Sequence, residues 1–249
     1  MYYISMLKSS LLDGGSTNLR LSSSAYDILV EDCFKYGFVK NNKPNISYII
    51  SKLAKELTEY RVDLHEELLK NNGSDEFVVR NIETNIFNIY HKKLNYICDD
   101  SYVNVGYRVS KEFMPYIKDI FFEILEKFDM NFASYIRSII HEYCSRTDSQ
   151  RELFLNYSLV KKIKNAIKQE RIVSVVNDGM QDDLLLVAIE QNNYGFNYLL
   201  GLSSNKETSL FLPLSKTERL VITKERMAVN NDDFNKILSH FSEFIEEKE

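Results

Sequence analysis

The first 150 residues of this chain read twice. Leu19-Arg20-Leu21-Ser22 returns as Tyr107-Arg108-Val109-Ser110, 88 positions on, and Ser47-Tyr48-Ile49 returns as Ser134-Tyr135-Ile136, 87 positions on. A nearly constant offset of this kind marks one supersecondary unit used twice. Each half reads as a short strand, a helix of about four turns, a break and a second helix. The first strand is predicted over 17–21, with Leu19 and Leu21 on one face and Asn18 and Arg20 on the other. The second is predicted over 103–109, where the period of two puts Val103, Val105, Tyr107 and Val109 on one face and Asn104, Gly106 and Arg108 on the other. Ser22 and Ser110 stand where N-caps belong. Tyr26, Leu29, Val30 and Cys33, then Ile117, Ile120, Phe121, Ile124 and Leu125, follow at helical spacing. Gly37 suits a C-cap. Pro115 lacks a backbone donor, which moves the start of its helix close to itself. Asn45 and Asn131 would cap the second helix of each half.

Strand, helix, helix, with polar residues alternating outward on the strand, resembles the ribbon-helix-helix family. The resemblance implies that two copies pair their strands antiparallel and that the resulting ribbon enters the DNA major groove. The second helices would then point their N-termini, with free N–H groups and a favourable dipole, at phosphates. Both copies lie in one chain here, so they could pair with each other or each across a homodimer. The outward Asn18, Arg20, Asn104 and Arg108 are the candidate base readers. Arg bonds guanine O6 and N7 bidentately, and Asn bonds adenine N6 and N7. The plainer role for all four is a solvated strand face.

Between the halves, the second helix is predicted to run on through Leu64, Leu68 and Leu69 to Asn71-Asn72-Gly73-Ser74. Ser74 would cap a further helix carrying Val78, Ile82, Ile86, Ile89 and Leu94. This αα-hairpin insert would pack on the core or serve as a dimer arm.

The last hundred residues change character. A helix over 158–170 has Leu159, Val160, Ile163, Ala166 and Ile167 as its apolar stripe, and Lys161, Lys164, Lys168 and Arg171 form a basic face. Apolar runs over 172–176, 184–189, 196–202, 210–214 and 219–222, broken by turn residues, predict a small β-barrel. A final helix over 232–248 carries Phe234, Ile237, Leu238, Phe241, Phe244 and Ile245. The stretch 160–223 resembles the WYL domain, a small Sm/SH3-like barrel of prokaryotic regulators. Ile163-Lys164-Asn165-Ala166-Ile167, Arg171-Ile172-Val173 and Tyr198-Leu199 with Gly201 carry the likeness. Asn197 stands where the name-giving Trp would be, and the basic strand residues expected over 210–214 give way to Lys216 and Arg219 a little later. The resemblance implies a module that senses nucleic acid or a nucleotide ligand. Tyr198, with Tyr194, Phe196 and Phe211, could then stack bases; barrel core is the plainer role for these rings.

Composition narrows the function. With 44% hydrophobic and 27% charged residues in 249, the chain reads as one or two soluble globular domains. A formal charge of −5 excludes a protein that coats nucleic acid, so phosphate binding must use local patches. Cys33, Cys98 and Cys144 stand far apart and read as reduced intracellular thiols. No signal peptide is visible, and the longest apolar run, Leu184 to Ile189, is far short of the roughly 20 residues of a membrane span. A cytoplasmic protein without membrane contact is predicted. His65, His91, His141 and His240 fall in no zinc-like spacing, and Gly-x-Gly-x-x-Gly, P-loop and Gly-x-Ser-x-Gly motifs are missing. No enzyme, metal or cofactor is therefore predicted. His141-Glu142 reads as surface or rim, and Asp99-Asp100 and Asp182-Asp183 read as turn carboxylates.

The predicted fold is α+β and mostly helical: a tandem ribbon-helix-helix-like domain over 1–150, a WYL-like β-barrel over 151–231 led by its basic helix, and a C-terminal helix over 232–249. This architecture resembles the WYL accessory proteins of type VI-D CRISPR loci. The resemblance implies a regulator that binds single-stranded RNA (or DNA) and stimulates an RNA-guided CRISPR ribonuclease. A DNA-binding transcription repressor with a WYL ligand sensor is the first alternative. A dimerisation scaffold between proteins, which the acidic balance favours, is the second. The two-fold habit of ribbon-helix-helix proteins and the apolar final helix predict a homodimer.

Overall fold

The structure is a computed structural model and describes residues 16–73, 75–83, 85, 101–119, 132–203 and 207–247. It forms two compact units that divide between Arg146 and Thr147. The mixed α/β composition matches the predicted class.

The first unit runs β1 (Ser16–Ser22), α1 (Ser23–Lys35), β2 (Val39–Lys40), β3 (Lys43–Pro44), α2 (Ile46–Asn71), β4 (Tyr102–Arg108), a 3-10 turn (Lys111–Phe113), α3 (Met114–Asp119) and α4 (Phe132–Cys144). A further helical stretch lies over 76–83. β1 and β4 pair antiparallel along their whole length, so the two halves of the repeat join within one chain. Leu19, Leu21, Val105 and Tyr107 turn inward and are buried, as the alternation predicts. Ile49, Ile50, Leu53 and Leu57 of α2, with Ile136, Ile139 and Ile140 of α4, are buried where these helices pack together.

Local signals set the helix ends. Ser22 Oγ accepts the Ala25 N–H at 3.3 Å, and Asn45 Oδ1 accepts that of Tyr48 at 3.3 Å. α1 ends at Lys35 with Tyr36 as its C-cap, and Gly37 follows, its φ of 75° suiting a residue without Cβ. Ser110 has the backbone of an N-cap but makes no capping bond. Pro115 falls in the first turn of α3, where a missing N–H is harmless. Tyr143 Oη donates to Asp32 Oδ2 at 2.6 Å, fastening α4 to α1. Burial, and then the nearby Asp32 charge, push the Cys33 thiol up to about 12. α2 runs past Leu64, Leu68 and Leu69 as predicted. Ser74, Ile86, Ile89, His91, Leu94, Cys98, Asp99, Asp100, Ile120, Phe121, Ile124, Leu125 and Asn131 lie outside the described residues.

The second unit runs α5 (Asp148–Leu155), α6 (Tyr157–Lys168), β5 (Arg171–Asn177), β6 (Met180–Gln191), β7 (Asn197–Ser203), β8 (Ser209–Pro213), β9 (Thr217–Arg226) and α7 (Asn231–Glu246). The strands make one antiparallel sheet in the order β8-β7-β6-β5-β9. Among the described residues no ladder joins β8 to β9. Asp178 and Gly179, at φ 53° and 78°, make the tight β5–β6 turn. Both faces of the sheet are covered, which explains why Leu184 to Ile189 is continuously apolar rather than alternating. Val160, Ile163 and Ala166 of α6 pack with Val173, Val175, Leu184, Leu186 and Leu199 on one side. Ile237 and Phe241 of α7 pack with Leu185, Val187, Leu200 and Leu202 on the other. A bulge at Val187 lets both Val187 and Ala188 join the α7 side, so Ile189 returns to the α6 side.

Three local expectations need correction. Asp182 and Asp183 are in no turn; they lie within β6, opposite Val175 and Ser174. His141 and Glu142, expected at the surface, are buried. The apolar face of the final helix is not surplus, since the sheet covers it. No helix among the described residues is long and apolar enough to cross a membrane.

Candidate nucleic-acid interface

Pairing β1 with β4 gathers all four candidate readers onto one surface. Asn18 and Arg20 from β1, and Asn104 and Arg108 from β4, are exposed on the ribbon's outward face, together with Ser16, Tyr102 and Gly106. None of these residues is acidic, and neither arginine is in an ion pair among the described residues. Two cations on a seven-residue face are a concentrated positive patch in a chain whose overall charge is −5.

Register and repeat agree on where this face is centred. Arg20 lies opposite Asn104, Arg108 opposite Ser16, and Asn18 opposite Gly106. The offset of 88 that carries Arg20 onto Arg108 also carries Asn18 onto Gly106. Equivalent positions therefore meet at the Asn18–Gly106 pair, which marks a pseudo-two-fold axis with one arginine on each side. The Arg20 guanidinium stacks on Tyr102, its Cζ 4.2 Å from the ring centroid. Tyr102 is 46% exposed. The sequence reading missed this residue because its strand began one position later.

The inward side holds the ribbon rigidly. Ser51 Oγ donates its hydrogen to the Ser47 carbonyl at 2.8 Å, so it can only accept from Tyr107 Oη at 3.2 Å and from the Ser110 N–H at 3.4 Å. Ser47 Oγ in turn accepts the Arg108 N–H at 3.4 Å. The start of α2 thus grips the end of β4 that carries Arg108. Burial pushes the Tyr107 hydroxyl up to about 12, so it remains a donor at neutral pH.

The predicted basic stripe in the second unit divides. Lys164 and Lys168 are exposed on α6 and make no ion pair among the described residues; Lys161 is exposed beside them. Arg171 is instead committed to the fold, with Nη1 donating to the carbonyls of Thr223 at 3.3 Å and Lys224 at 2.8 Å. Lys216 pairs with Asp178 at 3.0 Å, and Arg219 is exposed on β9. Tyr198 sits 5.6 Å from Phe241 and 5.8 Å from Phe244, among the rings beneath α7. Tyr194 is exposed at the β6–β7 turn.

Two buried polar groups explain sequence oddities. Asn197 donates from Nδ2 to Glu152 Oε2 at 2.8 Å and to the Ser149 carbonyl at 3.0 Å, and its N–H reaches Glu152 Oε2 at 2.7 Å. It pins β7 to α5, a task for a small amide. Glu142 bridges Arg61 at 2.9 Å and Arg146 at 3.3 Å, beside His141, whose pKa burial and then the Arg137 charge hold below its usual value. No group of three or more His, Cys, Asp or Glu among the described residues could hold a metal ion.

No protein family matches the chain, and neither does any curated protein. A solved structure described as "Crystal structure of a CRISPR Cas-related protein" superposes with a TM-score of 0.62 at 15% identity, over 89% of this chain. The overlap spans 66% of that structure, just under two thirds of its length. At this identity the likeness is one of fold. A second match, proteasome accessory factor B/C (PafBC) of Arthrobacter aurescens, has a TM-score of 0.27 at 11% identity, over 52% of this chain and 24% of its own, which is too low to bear on the fold.

Proposed function

We propose that this protein is a non-enzymatic, CRISPR-associated regulator that binds single-stranded RNA and stimulates an RNA-guided ribonuclease. The observation that carries the reading is the convergence of Asn18, Arg20, Asn104 and Arg108 on one exposed, acid-free face. Positive charge supplies affinity for phosphate, and the amides and guanidinium groups supply hydrogen bonds to base edges. Lys161, Lys164 and Lys168 on α6 add a second cationic surface.

Several features support the finer family reading. Two strand–helix–helix halves joined by an antiparallel ribbon fit a ribbon-helix-helix pseudo-dimer closed within one chain. Four strands in meander order, with the fifth returning beside the first, fit a small Sm/SH3-like module of the WYL kind. The fold shared with a CRISPR Cas-related protein favours a role in such a system. A homodimer stays within this proposal, although both features that suggested one, the ribbon and the apolar final helix, are used inside the chain.

Fluorescence anisotropy with single-stranded RNA, single-stranded DNA and duplex DNA at physiological salt tests the reading. Single-stranded RNA is expected to bind most tightly, with Arg20→Ala plus Arg108→Ala weakening it. The same double variant is expected to lose stimulation of the partner ribonuclease. Tight, sequence-specific duplex binding with negligible RNA affinity would make the protein a repressor instead.

A further inference from the structure

Gly106 has no structural reason to be glycine. It lies in the middle of a regular strand, with no positive φ, and a Cβ built there meets nothing of the described residues within 4 Å. Strand propensity disfavours glycine at such a position, where a β-branched residue would pack and stiffen the ribbon. A glycine that the fold does not need, on an exposed strand, suits a site where something flat approaches the backbone.

The surroundings define what that is. Gly106 faces Asn18 on the pseudo-two-fold axis, and Asn104 and Arg108 flank it along β4 at the next outward positions. Arg20 is held on the Tyr102 ring, which belongs to the Ser22–Tyr102 pair at the far end of the ribbon. The centre of the face is therefore low, walled by amides that both donate and accept, with cations to either side. A second copy of the ribbon is a poor occupant, since it would bring like charges together. A nucleobase with its phosphates suits both the shape and the charge.

We infer that Gly106 is the floor of a seat for one unstacked nucleobase, with Asn18 and Asn104 on the base edge and Arg108 on phosphate. The inference rests on the nucleic-acid reading above and sharpens it. In duplex DNA the bases stay stacked and present only their edges in the groove, so the flat face of a base cannot lie on the Cα of a strand. A base in a single strand can turn out of its stack and lie on the backbone. The seat therefore selects single strands.

The test is Gly106→Thr in the full chain, with Gly106→Ala as the smaller step. The probes are a labelled mixed-sequence single-stranded RNA, a single strand of equal charge with abasic sites, and a DNA duplex. Gly106→Thr is expected to fold as well as wild type or better, and to weaken the single strand about tenfold, within the range of losing one stacked base. Gly106→Ala should fall between. Wild type should prefer the intact strand to the abasic one, and Gly106→Thr should bind both alike. Wild-type affinity in Gly106→Thr would overturn the seat and leave the nucleic-acid reading standing. So would equal losses on duplex and single strand. A Gly106→Thr that unfolds would also overturn it, because the fold would then need the glycine. If wild type binds none of the probes, the nucleic-acid reading itself falls and takes the seat with it.

Discussion

Asn197 and His141 mark how the chain spends its buried polar groups. Asn197 satisfies the Glu152 carboxylate twice, out of water, and a helix carbonyl once at a partly buried position. Asn197→Ala removes both side-chain bonds and leaves a buried carboxylate with less solvation, so a loss of about 2–3 kcal/mol is expected, read by urea unfolding. His141 has a pKa depressed below 6.5 by burial and by Arg137. In the unfolded chain it titrates near 6.5, so below that pH the unfolded state binds more protons than the folded one. Stability is therefore complete above that value and is lost as pH falls through the folded-state pKa. Unfolding curves from pH 8 down to about pH 5 should show that decline, with a smaller acid slope in His141→Phe.

At the scale of elements, α7 is the piece whose removal is felt most directly. Its Phe241 is almost fully buried against the sheet and lies among Tyr198, Phe211 and Phe244. Phe241→Ala is expected to destabilise by about 3–5 kcal/mol and to increase binding of a hydrophobic dye, measured by thermal unfolding with the dye present. The elements themselves were largely legible: every predicted strand is found, as are the Ser22 and Asn45 caps and both outward faces of the ribbon. Such signals are local, carried by alternation and turn residues. What the sequence hid was non-local. Nothing near β1 says that its partner is 86 residues further along the chain rather than in another molecule, and nothing near Arg171 says that two carbonyls of β9 wait for it. Glu142 looked like a surface residue because the arginines that make its burial tolerable, Arg61 and Arg146, come from a separate stretch of the chain and from beyond the helix end. Tyr102 was lost to a single position in a strand boundary.

For the whole molecule, net negative charge and local positive patches set opposing demands on binding. Each lysine or arginine that neutralises a phosphate on a single strand should contribute about 0.7 to the log–log salt slope. Lys164→Glu with Lys168→Glu is expected to flatten that slope and weaken RNA binding steeply, measured by anisotropy across a salt series. A slope unchanged by this pair, with the Arg20 and Arg108 variants still effective, would assign all phosphate contact to the ribbon.

The Asn18–Gly106 pair has one more consequence. In a ribbon built from two identical chains, the residue on the axis must face its own copy, and the target it fits best is palindromic. Here asparagine faces glycine. Because both strands belong to one polypeptide, dilution cannot separate them, and each substitution enters the surface once instead of twice. The two ends of the face have been free to diverge, one carrying a stacked tyrosine and arginine, the other an arginine beside a serine. The ribbon consequently has a head and a tail, so a strand bound along it as proposed would take one preferred polarity.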